Sequence, residues 1–314
     1  MTGEIQKMIV VPVDGTKSLF RSLDYINLVF GPEHNLRIVL FYVLPRLPPI
    51  LVEESLTSAE TAKQLADLDN RNAEMAERLL ALGKKRMMEM GFAEKTVEAV
   101  FRRIEIGIAR DIVNWSEKKR ADAVVISTRS RGKLAAFFWG ETANKVLEYS
   151  RVCPVWMLKG TVKRKHALVA IDNSKNAMRA VDHAGLMLFG SDVKVTIYHS
   201  KRDLERFIPN ALVDEFPEFQ KFWQRRAGKE IAPFMEKAKE ILLAAGINEA
   251  QITAKVVDGS RSAAADILEE ARAFGADIIF TGLRGYSDVK EYSMGSVTRK
   301  VLHQAENMAV CIVP

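Results

Sequence analysis

The chain has 314 residues, enough for two domains of ordinary size, and its 48% apolar and 27% charged residues belong to a globular protein, not a disordered one. The formal charge of +6 suits a protein that handles anions, but Lys and Arg are scattered, with no basic stripe interleaved with aromatics, which argues against a nucleic-acid partner. No apolar run approaches the length of a bilayer span and the first residues lack a charged-then-apolar leader, so a cytoplasmic location and no membrane partner are expected.

In chain order, Met8-Ile-Val-Val-Pro-Val13 reads as a buried strand ending at Asp14-Gly15-Thr16. A helix follows on Leu19, Leu23, Ile26 and Val29, stopped by Gly31-Pro32. Residues 36–43 form the second strand, closed by Pro45, Pro48 and Pro49, and a long helix covers residues 58–90, ended by Gly91. A more polar third strand spans 95–106, and a helix spans 110–119 with Ile112, Val113 and Trp115 as core contacts. Strands at 121–126 and 155–158 complete the first half, with a loop and a helix between them.

After a short basic connection the order begins again. Strands are expected at 166–171, 193–198, 253–257, 276–280 and 309–313, with a helical insertion over 202–243 and a helix over 263–274. Phe207, Phe216, Phe219, Phe222 and Trp223 of the insertion read as cover for the core or for the other half, with a partner-binding surface as the sharper reading. Cys153 and Cys311 make no disulfide framework and read as buried thiols.

Landmarks recur at a steady offset. Asp14 and Asp172 differ by 172 − 14 = 158; Asp111 and Asp266, Asp122 and Asp277, and Gly140 and Gly295 each differ by 155. At this period a duplication means two homologous domains, residues 1–160 and 161–314, not a solenoid. Alternating strands and helices predict an α/β fold of open parallel sheets with helices on both faces. In such sheets ligands sit beyond the carboxyl ends of the strands, where Asp172, the Tyr198-His199-Ser200 strand end and the Gly282 loop fall together.

That segment, Thr281-Gly-Leu-Arg-Gly285, followed nine residues later by Gly295-Ser296, carries the chemistry. Gly-x2-Gly lets the backbone bring N–H groups against a phosphate with no Cβ in the way. Gly295-Ser296 then opens an apolar helical pattern on Val297, Val301 and Leu302, whose N-terminus suits the same anion. Arg284 offers a charge-assisted phosphate contact or is an exposed surface residue. Asp172 can accept from ribose hydroxyls or serve as a turn or cap residue.

The pattern Gly282, Gly285, Gly295 and Ser296 resembles the nucleotide loop of ATP-binding members of the universal stress protein family, and the resemblance extends over both halves. It implies a five-stranded parallel sheet of order 3-2-1-4-5 in each half, an adenine-nucleotide α-hydrolase-like fold. It also implies an intrachain pseudo-dimer, with further homo-oligomerisation open. The nucleotide, ATP or else ADP or AMP, with or without magnesium, would set its base and ribose against Ala170, Ile171, Asp172 and Ser200. Its phosphates would meet Thr281, Gly282, Arg284, Gly285, Gly295, Ser296 and the N–H groups of Val297 and Thr298.

The first half departs from this pattern. At matching offsets it reads Ser127-Thr-Arg-Ser130, then Gly140 and Glu141, after a Phe137-Phe138-Trp139 run read as packing. A carboxylate about 4 Å from a phosphate costs roughly 4 kcal/mol at an effective dielectric near 20, several times the worth of an ordinary hydrogen bond. The first-half site is therefore read as degenerate.

Three function classes stay open: a non-catalytic, ATP-binding stress or signalling protein with an unknown protein partner, a nucleotide-cleaving enzyme, and a nucleotide-free scaffold. No Ser-Gly-Gly-x-Asp-Ser loop follows either opening strand and the five histidines are scattered, which favours the first. A dinucleotide dehydrogenase is disfavoured because no Gly-x-Gly-x-x-Gly follows an opening strand. Because the apolar strand at 155–158 would be an exposed edge in an isolated domain, residues 161–314 expressed alone should self-associate. A monomer in size-exclusion chromatography would contradict the pseudo-dimer expectation.

Overall fold

Strand β1 (Lys7–Pro12) buries Ile9, Val10 and Val11 completely, as a strand covered on both faces must. The computed structural model describes residues 6–14, 18–127, 141–201, 208, 212, 215–259, 262–285 and 294–314. The chain divides into two units, Met1–Val155 and Trp156–Pro314.

In the first unit, β1 leads to α1 (Ser18–Val29), β2 (Leu36–Leu44), α2 (Pro49–Ser55) and α3 (Ala59–Glu89). Then come β3 (Val97–Arg103), α4 (Ile108–Lys118), β4 (Ala123–Ser127) and α5 (Glu141–Tyr149), and β5 (Val155–Lys159) begins on the unit's last residue. The strand order is β3-β2-β1-β4, and the pairs β2–β3, β1–β2 and β1–β4 are parallel.

The second unit repeats the plan with β6 (His166–Ala170), α6 (Lys175–Leu188), β7 (Lys194–Lys201), α7 (Pro217–Ala244) and β8 (Ile252–Asp258). It ends with α8 (Ala263–Phe274), β9 (Ile278–Gly282), α9 (Ser296–Gln304) and β10 (Met308–Val313). Its order is β8-β7-β6-β9-β10, all parallel, which is the expected five-strand order. β6 lies between β7 and β9, so the chain leaves it in opposite directions across the sheet. That reversal opens a crevice beyond the carboxyl ends of these three strands.

Several details differ from the sequence expectation. Pro49 does not merely close β2 but opens α2, where a fixed φ and a missing N–H cost nothing. The third strand is shorter than 95–106, because Glu94–Thr96 forms a 3-10 turn before it. Trp115 is half-buried, its ring 4.8 Å from that of Phe41.

The helical insertion is the main correction. Phe216, Phe219 and Phe222 are more than half exposed and cover no core, while Phe207 lies outside the described residues. The reason is geometric: α7 buries only Ile231, Met235, Ala238 and Leu242, all in its second half. α3 behaves alike, burying Ala76, Leu80, Gly83 and Met87 and nothing before them. Each helix is longer than its sheet is deep, and its first half projects past it. Among the described residues no helix is long and apolar enough to cross a membrane.

Both cysteines are buried thiols outside any disulfide, and burial beside the Glu117 and Asp122 charges pushes the Cys153 thiol up to about 12. In the second unit His183, fully buried on α6, accepts the Trp156 indole N–H at 2.8 Å, with Phe280 edge-on to both rings. Burial drives this imidazole from 6.5 down to about 3. The folded state therefore binds fewer protons than the unfolded chain between those values, so the stability is whole above pH 6.5 and lost as pH falls. Burial lowers His166 too, in the same sense. Between pH 7 and pH 5 the His183 contribution amounts to about 2 kcal/mol. Urea unfolding at the two pH values should show a loss in the native protein that is smaller by about 2 kcal/mol in His183→Gln, where the His166 contribution remains.

Candidate functional site

The carboxyl ends of β6, β7 and β9 and the start of α9 enclose a cavity of about 200 Å³. All twelve residues picked from the sequence line it: Ala170, Ile171, Asp172, Ser200, Thr281, Gly282, Arg284, Gly285, Gly295, Ser296, Val297 and Thr298. The lining also includes Tyr198 and His199, which the sequence placed at the same strand end but assigned no role, and Ala177, Ala263 and Ile267, which sequence reasoning did not select. Ala263 and Ile267 are on one face of a helix whose docking position only the fold shows.

The glycine loop is shaped by close approach. A Cβ on Gly282 would lie 2.7–2.9 Å from the Asn176 backbone and Cβ, and one on Gly285 would lie 2.5 Å from Asp172 Oδ2. The loop backbone thus runs against the start of α6 and faces the Asp172 carboxylate. Leu283 N–H donates to Val313 O at 2.6 Å, Gly295 N–H returns to Leu283 O at 2.9 Å, and Gly295 stacks on the Leu283–Gly285 backbone. The loop leaves at Gly285 and comes back at Gly295 beside itself, so both ends of the glycine motif meet.

Helix α9 starts at this junction with no side-chain cap, leaving the first-turn N–H groups of Ser296, Val297 and Thr298 directed at the cavity mouth. Thr298 is buried, and its hydroxyl donates to Gly282 O at 2.8 Å, tying the helix start to the loop. Val297, expected on the apolar face, is exposed at the mouth instead, while Val301 and Leu302 are buried. Arg284 is half-buried between the loop glycines. Asp172 Oδ1 accepts the Ser174 N–H at 3.0 Å, and Ser174 caps α6 through Ala177 N–H. Asp172 is therefore a turn residue with its other oxygen turned to the loop; the cap itself is Ser174.

At the opposite end, Ser200 Oγ donates to Asp266 Oδ2 at 2.6 Å, and His199 Nδ1 meets Ile171 O at 2.8 Å. Burial and the nearby Glu270, Asp266 and Glu269 carboxylates push the Tyr198 phenol upward, so it stays protonated.

Sequence comparison agrees with this geometry. The model of the universal stress protein family matches residues 7–159 and again 163–313. The chain belongs to the universal stress protein family. Universal stress protein YxiE of Bacillus subtilis is 28% identical over 143 residues, 43% of this chain and 88% of that protein. Among solved structures, a universal stress protein from Archaeoglobus fulgidus superposes with a TM-score of 0.65 at 19% identity, over 98% of this chain and 97% of that one. A functionally unknown protein from Pseudomonas aeruginosa gives 0.56 at 13% identity, over 98% and 92%. At these identities both attest to the fold.

The first unit of this universal stress protein has the matching position but other chemistry. Val13 N–H donates to Phe41 O at 2.9 Å as Ile171 N–H does to Tyr198 O, so Val43 stands where the second unit has Ser200. Asp111, the counterpart of Asp266, accepts from the Glu105 and Ile106 N–H groups at 2.7 and 3.1 Å. Asp14 accepts from Ser18 Oγ at 2.9 Å. Glu141 opens α5 at the position of Ser296 and pairs with Lys145, which holds its carboxyl below the usual range. The first-half loop, including Thr128, Arg129, Ser130 and Gly140, lies outside the described residues. A wider depression of about 710 Å³ beside α2 and α3 has mainly apolar walls, and its Arg103 and Asp69 are paired at 2.7 Å.

The glycines differ in how much room they have, since a Cβ on Gly295 would come no nearer than 3.3 Å to its neighbours. Gly282→Ala should cost about 1–3 kcal/mol through displaced backbone, and Gly295→Ala less. Urea denaturation of the two variants tests the ranking.

Proposed function

We propose that the second unit binds one adenine nucleotide, ATP or else ADP or AMP, and that the protein acts as a binding or signalling protein for an unidentified protein partner. What carries the reading is the cradle: a loop whose Gly282 and Gly285 leave no room for a Cβ, closing on an uncapped helix N-terminus opposite a strand-end carboxylate. Phosphate oxygens would accept from the first-turn N–H groups of α9 and from Ser296, with Arg284 adding charge. Asp172 would accept from the ribose hydroxyls.

A cavity of about 200 Å³ is small beside typical ligand sites of roughly 300–1,000 Å³, so it would take base and ribose with the phosphates lying over the loop. Among the described residues no group of three His, Cys, Asp or Glu side chains could hold a metal, so magnesium would enter on the phosphates. The first unit would bind no nucleotide, since Glu141 and Val43 replace a hydroxyl at either end. Slow or absent turnover follows from the lack of a pyrophosphatase-type loop after either opening strand.

Calorimetric titration of the full chain with ATP and magnesium should give a stoichiometry near one. Asp172→Ala should weaken binding by about 10-fold or more, Gly285→Glu should abolish it, and Gly140→Glu should leave it nearly intact. Two equivalent sites would overturn the assignment. So would steady phosphate release on the order of 1 per second that Asp172→Ala removes.

A further inference from the structure

At the end of the cavity farthest from the glycine loop, the Ser200 hydroxyl and the Ile171 carbonyl share one hydrogen-bonding polarity. β7 lies two strands from β9, about 10 Å across the sheet, so Ser200 meets the part of a ligand that lies away from the loop. The Ser200 hydroxyl has one proton and gives it to Asp266 Oδ2 at 2.6 Å. Asp266 is 8% exposed and sits in the first turn of α8, behind the serine. A short, charge-assisted bond of this kind holds its proton firmly. Toward the cavity Ser200 Oγ then offers lone pairs only.

The Ile171 backbone behaves alike. Ile171 N–H is engaged by Tyr198 O at 2.9 Å, which leaves the Ile171 carbonyl as the group available to a ligand. That carbonyl accepts from His199 Nδ1 at 2.8 Å and keeps a second lone pair. Because a carbonyl can only accept, His199 Nδ1 carries a proton.

We infer that this end of the cavity selects its nucleobase by an exocyclic amino group, with Ser200 as the reading residue and Asp266 as the positioning residue that fixes its polarity. The 6-amino group of adenine can donate to Ser200 Oγ. The 6-keto oxygen of hypoxanthine or guanine would face the same oxygen with no proton between them, and a site built for one hydrogen-bonding partner rejects its opposite strongly. This inference rests on the nucleotide reading above and adds the residue pair that discriminates between purines. The first unit, with Val43 in place of Ser200, has no such reader.

The test uses ATP and ITP, which carry an amino and a keto group at C6, with N1 bare in the first and protonated in the second, in competition titrations on the full-length protein. The native protein should prefer ATP by roughly 10- to 100-fold. Asp266→Asn lets an amide N–H donate to Ser200, frees the hydroxyl proton for the cavity, and should bring the ATP-to-ITP ratio toward one or below. Ser200→Ala should also flatten the ratio while circular dichroism and thermal unfolding stay near native. A merely structural role for Asp266 would lower both affinities together and leave their ratio unchanged, and that result would overturn the inference. Equal affinity of the native protein for ATP and ITP would overturn it while leaving the nucleotide reading intact. Binding of neither would remove both.

Discussion

The missing Cβ at Gly282 governs the carboxyl edge of the second sheet. With the Asn176 backbone and Cβ less than 3 Å from where that carbon would be, any other residue would push the loop off the start of α6. The loop would then lose its register with Val313 and with Gly295, and α9 would no longer begin beside Asp172. Burial provides the bulk of the stability, in strands such as β9 and β10 that are buried at every residue. The site depends instead on one close backbone approach that burial makes rigid.

The two units show how a duplicated framework can keep its fold and part with its chemistry. The inter-strand bond that follows β1 reappears after β6 at the same 2.9 Å, and Asp111 and Asp266 stand at matching places near the starts of their helices. Yet Asp111 uses its oxygens to close a local turn, whereas Asp266 reaches Ser200. A carboxylate can serve either end, since it only accepts; which donor it meets depends on whether the neighbouring strand ends in Val43 or Ser200. The core of each sheet tolerates the exchange because neither residue changes the alternation that packs it.

The long helices α3 and α7 follow from the same length argument. A strand of five to nine residues spans far less than a helix of 28 or 31, so the helix can be covered over only part of its length. The uncovered half of α7 carries Phe216, Phe219 and Phe222, with the rings of Phe219 and Phe222 stacked at 6.1 Å.

Much of this was legible in the sequence. Apolar runs with turn signals at their ends determine parallel strands, a fixed offset between aspartates determines two domains, and Gly-x2-Gly before Gly-Ser determines a loop that can approach closely. These are local properties, written in neighbouring residues. What the sequence could not decide was contact between distant segments: that Gly285 faces Asp172, that Thr298 ties α9 to Gly282, and that the Ser200 proton belongs to Asp266. Nor could it tell that the phenylalanines of the insertion stay outside the core, because composition says which residues are apolar but not how far a helix outruns its sheet. Tertiary structure decided those points, since hydrogen-bond polarity and burial depend on which atoms meet across the crevice, and the order and register of the strands set that meeting.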